Sequence, residues 1–405
     1  MVNRTDPKSN APIMMLSAGN GFIMQSVKYS RDNAGQSLKK YILLKQGELA
    51  YNHGASKAKQ FGCCYELTEP EARIPYVYHC FKVSDTEYTP FVAATLNNPK
   101  MDKQLKRLVS SSVRMDGLLN ISFDDYMSVS LHLPSFAEQK KIADFLKKLD
   151  ERITAQEMLV ASLKKYKRGV TNAIFNRKLI FSSEDSPYPQ WEEKYIGDIC
   201  KIQTGKSNTQ DETSQGIYPF YVRSPIVRKS NRYLLDCEAV LTVGDGVGTG
   251  KVFHYVQGRF DLHQRVYAMT DFKMVSGKYF YYYFAHFFYD RVMRMTAKTS
   301  VDSVRYEMID RMTILVPCKE EQQKIVCFLD RIEKKIKNAE EELNLLEKNK
   351  SGFLQQIFIR RAAARRLSAD QLGMQEGFPA QRFVYQRSEE RMIFLTVFSS
   401  QEHYI

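Results

Sequence analysis

The chain has 405 residues, which is too long for one hydrophobic core and predicts two domains or more. Its 43% hydrophobic and 12% aromatic content is typical of folded domains and excludes a disordered chain. The formal net charge of +13 fits a polyanionic partner, because Lys and Arg neutralise phosphates, but it also fits an ordinary basic soluble protein.

The cysteines and the apolar segments bear on the compartment. Seven cysteines form no CxxC pair and are odd in number, which favours reduced thiols in the cytosol over a disulfide framework. The polar start MVNRTDPKSN lacks the apolar stretch of a signal peptide. The most apolar run, Tyr279 to Tyr289, is too short to span a bilayer. We therefore expect a cytoplasmic protein without a membrane partner.

A long internal repeat organises the chain. Residues 134–175 and 317–358 are two copies of one segment, 183 positions apart. A repeat at a fixed distance sets the architecture before any local prediction. In chain order it predicts a first globular domain at 1–133, a first helix at 134–177, a second globular domain at 178–316, a second helix at 317–359 and a basic tail at 360–405.

In the first globular domain the sequence predicts strands at Gly47 to Asn52 and at Pro75 to Phe81. The order of its elements resembles that of residues 178–316. We therefore interpret the two globular regions as divergent versions of one α+β domain, held on a repeated frame.

Each repeat copy carries apolar residues in heptads, the pattern of a coiled coil. The predicted helix seam consists of Ile142, Leu146, Leu149, Ile153, Val160 and Leu163 in the first copy, and Ile325, Leu329, Ile332, Ile336, Leu343 and Leu346 in the second.

Polar residues interrupt this seam. Lys167 and Lys350 occupy equivalent positions, and Gln156 interrupts the first copy alone. Such residues either fix the register or mark where the seam loosens. A helix of about 40 residues would extend for about 60 Å. We expect the two helices to pack on each other antiparallel within one chain, with a coiled-coil oligomerisation device as the alternative.

In the second globular domain the sequence predicts four strands and one helix. The strands are Pro219 to Val222, Ala239 to Val243, Lys251 to Val256 and Arg265 to Met269, and a helical period follows from Tyr279 to Met295. The glycine-rich segment GDGVGTGK (Gly244 to Lys251) fits neither the phosphate-binding pattern GxxxxGK[ST] nor the dinucleotide pattern. It predicts a tight loop between two strands.

Two short segments approach catalytic motifs without completing them. Asn97-Asn98-Pro99-Lys100 lacks the second proline and the aromatic residue of an amino-methyltransferase motif, and Glu192-Glu193-Lys194 lacks the preceding Asp of a metal nuclease. The histidines and cysteines form no metal-ligand spacing, and no nucleophile, base and orienting group come together. We predict no catalytic and no metal site.

The repeated strings LPSFAEQKKIADFLKKLDERI (Leu133 to Ile153) and VPCKEEQQKIVCFLDRIEKKI (Val316 to Ile336) resemble the conserved region of the specificity subunit of type I restriction-modification enzymes. The segment from Tyr188 to Ile199 is similar to the start of that family's target-recognition domains. The resemblance covers roughly residues 15–360.

The resemblance implies two target-recognition domains separated by two long antiparallel helices that form an intramolecular coiled coil. Each domain would read one half of a split target in double-stranded DNA, with the helices as a ruler that sets the spacer. The subunit would have no catalysis of its own. It would recruit two modification (methyltransferase) subunits and the restriction (translocase and nuclease) subunits, which would use S-adenosylmethionine, ATP and magnesium.

Two departures from the family stand out. The first domain lacks a counterpart of the opening from Trp191 to Ile199, so its start is predicted to be shortened. Beyond Phe358 a further segment follows, with RRAAARR at Arg360 to Arg366 and an apolar run from Met392 to Phe398. An atypical tail is one interpretation and a basic DNA clamp is another.

Candidate DNA-binding residues are polar or basic side chains in loops, because base edges require donors and acceptors and phosphates require positive charge. In the first domain they are Asn52, His53, Ser56, Lys57, Lys59, Ser112 and Arg114. In the second they are Lys206, Ser207, Asn208, Arg223, Ser224, Lys251, Gln264, Arg265, Lys298, Thr299 and Ser300.

Two rival functions remain at this point. One is a coiled-coil scaffold that binds protein without DNA specificity, and the other is a methyltransferase or nuclease with divergent motifs. Salt-dependent binding to a bipartite duplex would distinguish a DNA-binding subunit from the protein-binding scaffold. Methyl transfer by the chain alone would support the divergent enzyme.

Overall fold

The computed structural model describes residues 1–28, 35–56, 59–109, 119–182, 188–246, 248–295, 303–359 and 365–368. The chain forms two compact units. Unit 1 consists of Met1–Leu146 with Leu354–Ile405, and unit 2 is Lys147–Phe353. No helix in the described ranges is both long and apolar enough to cross a membrane.

Unit 1 is built from short strands and small helices, followed by the start of a long helix. In chain order they are β1 (Met14–Ser17), β2 (Gly21–Met24), α1 (Gln25–Lys28), a 3₁₀ turn (Gly35–Lys40), β3 (Ile42–Lys45), β4 (Glu48–Asn52), β5 (Cys63–Glu66), β6 (Glu71–Ile74), β7 (His79–Lys82), α2 (Thr89–Leu96), α3 (Pro99–Leu108), α4 (Phe123–Met127), β8 (Ser130–Leu133) and α5 (Phe136–Phe175).

Unit 2 begins within α5 and contains two four-stranded sheets. Its further elements are β9 (Glu192–Tyr195), α6 (Ile196–Ile199), β10 (Lys201–Thr204), a 3₁₀ turn (Thr209–Asp211), β11 (Tyr218–Tyr221), β12 (Arg228–Ser230), β13 (Leu235–Asp236), β14 (Ala239–Val243), β15 (Phe253–Val256), β16 (Arg259–Leu262), β17 (Val266–Thr270), α7 (Gly277–Met295), α8 (Tyr306–Asp310), β18 (Thr313–Val316) and α9 (Lys319–Ile359). A last strand, β19 (Arg365–Ser368), belongs to unit 1.

The sheets of unit 2 carry most of the site described below. One has the order β10-β17-β14-β15 and is antiparallel throughout. The other has the order β12-β11-β16-β13, in which β11 and β16 run parallel. Helix α7 lays an aromatic face against the first sheet, with Tyr279, Phe280, Phe284 and Phe288 buried in its core. Burial of such large apolar side chains supplies most of the driving force for folding.

The predicted strands of the second domain are confirmed, with ends shifted by up to two residues. In the first domain, β4 is confirmed but the strand predicted from Pro75 begins only at His79. Pro75 to Tyr78 form a turn in which the Tyr78 N–H donates to the Pro75 carbonyl at 3.1 Å. Proline lacks the N–H that a strand ladder needs, and the turn that begins at Pro75 continues to Tyr78, so β7 starts at His79.

The two long helices run antiparallel, which confirms the predicted fold class. Along α5, Arg152, Lys164 and Lys167 pair with Glu342, Glu340 and Glu333, so the partner number falls as the helix advances. Gln156 also donates to the Ala339 carbonyl across the same interface. Opposite charges along the flanks of an apolar seam are typical of a coiled coil.

The helix seam predicted from the heptads lies on the covered faces of both helices. All twelve predicted residues are buried or half-buried, and Leu146, Val160, Ile325, Leu329, Ile332, Ile336 and Leu346 are the buried ones. By contrast Met158, Leu159 and Leu345 are exposed. The 3-4 spacing therefore separates covered from exposed apolar residues on the same helices.

Both helix copies are fixed at their start by an equivalent buried glutamine. Gln139 accepts from the Tyr88 N–H at 2.9 Å and donates to the Pro134 carbonyl at 3.0 Å. Gln322 accepts from the Ser276 N–H and donates to the Pro317 carbonyl, each at 2.9 Å. The repeated glutamine thus fixes the start of each long helix. Gln139 binds the residue before α2, and Gln322 binds the residue before α7.

Strand β18, which precedes α9, pairs antiparallel with β9. Strand β8, which precedes α5, pairs in the corresponding register with β19. The first domain was predicted to lack a counterpart of the segment from Trp191 to Ile199. In unit 1 the strand that pairs with β8 is β19, which comes from the tail, whereas in unit 2 the strand that pairs with β18 is β9. The rest of the tail lies outside the described residues.

Candidate nucleic-acid interface

A polar cleft in unit 2 is assembled from four chain segments. Because β11 and β16 are parallel, the loops that follow Tyr221 and Leu262 leave the sheet at the same edge. The His263 N–H donates to the Tyr221 carbonyl at 3.0 Å and holds these loops together. The segment after β10 joins them through a bridge between Ser207 and His263, and the loop after β14 contributes Asp245.

The cleft has a volume of about 480 Å³ and is lined by polar side chains. Its lining residues are Asn208, Thr209, Gln210, Arg223, Asp245, His263, Gln264 and Arg265. Four of these were predicted from sequence as DNA-binding residues, namely Asn208, Arg223, Gln264 and Arg265. The structure therefore brings together residues that are far apart in the chain.

One side of the cleft holds two arginines around one carboxylate. Arg223 Nη1 lies 3.4 Å from Asp245 Oδ1, and Arg265 Nε lies 3.8 Å from Asp245 Oδ2. The arginine side chains are 48% and 64% exposed, whereas Asp245 is 24% exposed. Exposed ion pairs contribute little to stability, so this arrangement orients the guanidinium groups more than it stabilises the fold.

The glycine-rich segment connects the antiparallel strands β14 and β15, and its Gly244 and Gly248 lie close to the backbone carbonyls of Arg265 and Arg223. The Gly244 N–H donates to the Arg265 carbonyl at 2.8 Å. A Cβ at Gly244 would lie only 2.8 Å from that carbonyl oxygen, so a side chain there would push Arg265 away. Glycine is needed here for close backbone approach.

The other side of the cleft is an amide pair. Gln264 Nε2 donates to Asn208 Oδ1 at 2.6 Å. The Gln264 N–H donates to the Ser207 carbonyl at 2.9 Å, and the Asn208 N–H donates to Asp211 Oδ2 at 2.7 Å. Both amides are exposed on an anchored backbone.

His263 forms the floor between the two sides and is buried. Its Nδ1 accepts from the Arg265 N–H at 3.0 Å, so the proton of the neutral ring lies on Nε2. Burial lowers the pKa of His263, and the positive charges of Arg223 and Arg265 lower it further against the opposing effect of Asp245. The ring is therefore neutral near pH 7.

Other predicted residues of the second domain lie outside the lining. Ser207 is buried, and its hydroxyl donates to Asp261 at 2.7 Å beneath the cleft. Lys206 is exposed next to it. Ser224 turns its hydroxyl to the Ile226 backbone, and Lys251 Nζ lies 5.2 Å from the centre of the Tyr289 ring. Lys298, Thr299 and Ser300 lie outside the described residues.

In unit 1 the predicted residues engage the protein itself. Asn52 accepts from the Gly54 N–H, and buried His53 lies between the carbonyls of Leu119 and Val77 at 2.8 and 3.0 Å. Ser56 accepts from the Lys59 N–H, and Lys59 Nζ donates to the Asn97 carbonyl. Lys57, Ser112 and Arg114 lie outside the described residues.

Sequence reasoning missed Asp245, His263, Thr209 and Gln210 as lining residues. Asp245 sits inside the glycine-rich segment, whose sequence pattern is dominated by its glycines. A signal was present, since an acidic residue in a loop of a strongly basic protein points to local arginine partners. Among the described residues no group of three His, Cys, Asp or Glu side chains gathers in a way that could hold a metal ion.

Comparison with known proteins agrees with the resemblance seen in the sequence. Residues 188–348 match the family described as Type I restriction modification DNA specificity domain. The type I restriction enzyme EcoDI specificity subunit of Escherichia coli is 22% identical over 167 residues, which are 41% of this chain. The chain spans about a third of that relative's length, 36%.

The fold is shared with a solved structure. The crystal structure of the type I restriction-modification system S subunit from M. genitalium has a TM-score of 0.55 and 13% sequence identity, covering 88% of this chain and 91% of that one. At this identity the likeness concerns the fold. The resemblance to type I specificity subunits is thereby confirmed, with residues 188–348 matching the Type I restriction modification DNA specificity domain.

Proposed function

We propose that the chain is the sequence-specific DNA-binding subunit of a type I restriction-modification complex and is not itself an enzyme. The observation that carries the proposal is the polar cleft of unit 2, where two exposed arginines and an amide pair converge inside the matched domain. Base edges in the major groove are read by such donors and acceptors, and phosphates are held by cationic side chains.

The target is bipartite. The first domain (1–133) reads one half-site and the second (178–316) reads the other. The antiparallel helices at 134–177 and 317–359 act as the ruler that sets the non-specific spacer. Support for the ruler comes from the matched lengths of α5 and α9, 40 and 41 residues, and from their ion pairs.

The complex supplies the chemistry that the chain lacks. Two modification subunits methylate adenine with S-adenosylmethionine, and the restriction subunits use ATP and magnesium. The chain recruits both kinds of subunit and works in the cytoplasm.

The proposal is tested with the full-length chain and its modification subunits, using duplexes with randomised half-sites and variable spacers. We expect selection of two short half-sites at one spacer length, and affinity that falls steeply with salt. Binding without sequence preference, or none at all, would favour a protein-binding scaffold instead. Methyl transfer by the chain alone would favour a divergent enzyme.

A further inference from the structure

The amide pair of the cleft retains free hydrogen-bonding capacity. A carboxamide has two N–H donors and one carbonyl acceptor. The bond from Gln264 Nε2 to Asn208 Oδ1 uses one donor of Gln264. In the part of the chain that the structure describes, the second N–H and Oε1 of Gln264 have no further protein partner. Gln264 therefore offers one N–H donor and the Oε1 acceptor to a ligand in the cleft.

The pair is also held in place before any ligand arrives. Its backbone anchors are the Gln264 N–H on Ser207 and the Asn208 N–H on Asp211. Ser207 is itself fixed, because its buried hydroxyl donates to Asp261, which also accepts from Ser230 at 2.9 Å. An amide that is oriented in advance loses less conformational entropy on binding.

The donor and acceptor pattern selects among the bases. In the major groove adenine presents the N7 acceptor beside the N6 amino donor, whereas guanine presents two acceptors, N7 and O6. A carboxamide complements the adenine pattern, and two N–H donors of an arginine complement guanine. Arg223 and Arg265, on the opposite side of the cleft, can hold the duplex through its phosphates or bind a neighbouring guanine.

We propose that Gln264 reads an adenine in the half-site of the second domain, and that Asn208 is the positioning residue that orients it. The inference rests on the proposed function, since it assumes that this cleft meets DNA. It adds the base that the cleft selects and the atoms that select it: Gln264 Oε1 accepts from adenine N6–H, and Gln264 Nε2 donates to adenine N7.

The first experiment selects preferred half-sites from randomised bipartite duplexes with the full-length complex, then replaces single adenines by 7-deazaadenine. That analogue keeps Watson–Crick pairing but removes the N7 acceptor. At one position we expect about a tenfold weaker binding by the unmodified protein. Gln264→Ala should lose the adenine preference at that same position, keep the others, and be insensitive to 7-deazaadenine there.

Matched variants distinguish a loss of base recognition from a loss of folded structure. Gln257→Ala is the control, because Gln257 is an exposed glutamine of the same domain, outside the cleft, whose Nε2 donates to the Tyr255 hydroxyl at 2.7 Å. It should leave every preference unchanged. Asn208→Asp keeps the oxygen that orients Gln264 and should retain the adenine preference, whereas Asn208→Ala should weaken it.

Two negative results have different meanings. If Gln264→Ala keeps the complete set of base preferences, the adenine assignment is overturned while sequence-specific DNA binding stands. If the unmodified complex selects no sequence at all, the proposed function fails and the assignment fails with it.

Discussion

Gln156 Nε2 donates a 2.9 Å hydrogen bond to the carbonyl of Ala339, the residue 183 positions later that occupies the same place in the second repeat. A residue that meets its own counterpart lies on the pseudo-twofold axis of the helix pair. Two long side chains would collide at such a point, and the combination of Gln with Ala avoids this. The single polar interruption of the first heptad row therefore marks the centre of symmetry.

The same symmetry pairs the polar seam lysines. Lys167 binds Glu333, and its repeat equivalent Lys350 binds Asp150, which is the equivalent of Glu333. The two interpretations left open by the sequence were a fixed register and a loosened seam. Each lysine has a specific carboxylate partner on the other helix, which favours the fixed register.

We predict that Lys167→Met destabilises unit 2 by about 1 kcal/mol, measured by denaturant unfolding at pH 7. Burial raises the pKa of Glu333, but hydrogen bonds from Lys167 and Tyr282 outweigh it and lower that pKa below 4.5. The stabilisation is therefore present above pH 4.5 and is lost as the pH falls through the lowered value. Lys164→Met is the control, since its ion pair with Glu340 is more exposed and contributes little. An equal loss in both variants would contradict the prediction.

Substitution of the buried glutamine Gln322 should lower the free energy of unfolding more than Lys167→Met does. Gln322→Ala leaves the Ser276 N–H and the carbonyls of Met274 and Pro317 without their partner, so we expect a loss of about 2 kcal/mol in the free energy of unfolding. Gln323→Ala, the exposed neighbour, is the matched control. Thermal or denaturant unfolding of the two variants checks this, and similar stabilities would reject it.

On the arginine side of the cleft, Arg223→Ala should relax specificity in one half-site and weaken specific binding by about 1–3 kcal/mol. Asp245→Asn should reduce discrimination and raise non-specific affinity, because it frees both arginines and removes a negative charge near the phosphates. Asp236→Asn, which breaks the exposed pair with Arg259, is the control. Titration of specific and scrambled duplexes at several salt concentrations measures the effect. Unchanged target preference in Arg223→Ala would reject its assignment.

Unit 2 should lose stability below about pH 6.5. Burial lowers the pKa of His254 from 6.5, against the opposing effect of a hydrogen bond with the Ser224 backbone, and the His254 ring lies 4.9 Å from that of Tyr221. The unfolded chain then binds more protons than the folded one as the pH falls through 6.5, so the stability falls with it. His254→Phe should make the free energy of unfolding less dependent on pH between 7.5 and 5.5, and the dependence that remains should come from His263 and His286, whose pKa values burial also lowers. His132→Phe, at an exposed site on β8, should not.

The ruler predicts a spacer change of defined size. One heptad inserted within 146–163, with a matching heptad in the facing part of α9, lengthens the pair by about 10 Å, or about three base pairs. We expect the tolerated spacer to grow by that amount while both half-sites stay the same. A single insertion in α5 should instead disturb the seam and lower stability. Retention of the original spacer by the double insertion would defeat the ruler.

The sequence predicted the parts of the fold that depend on local periodicity. Heptads in two copies gave the helices and their seam, and alternating apolar runs gave β4, β11, β14, β15 and β17. Half of the lining residues of the cleft, such as Arg223 and Gln264, were also found. Asp245 and His263 were not, because only the parallel pairing of β11 with β16 brings the four loops together. Ser207 and His53 look like surface residues in the sequence, yet tertiary packing buries them.

The pairing of β8 with β19, and of β18 with β9, has a consequence for how such a chain could arise. Each strand that leads into a long helix finds its neighbour only in sequence that follows the other helix. A protein with one strand–helix–strand repeat would therefore carry two open strand edges, which attract further chains. Such a half-length ancestor could satisfy both edges by pairing with a second molecule of itself, and gene duplication would join the two into one polypeptide.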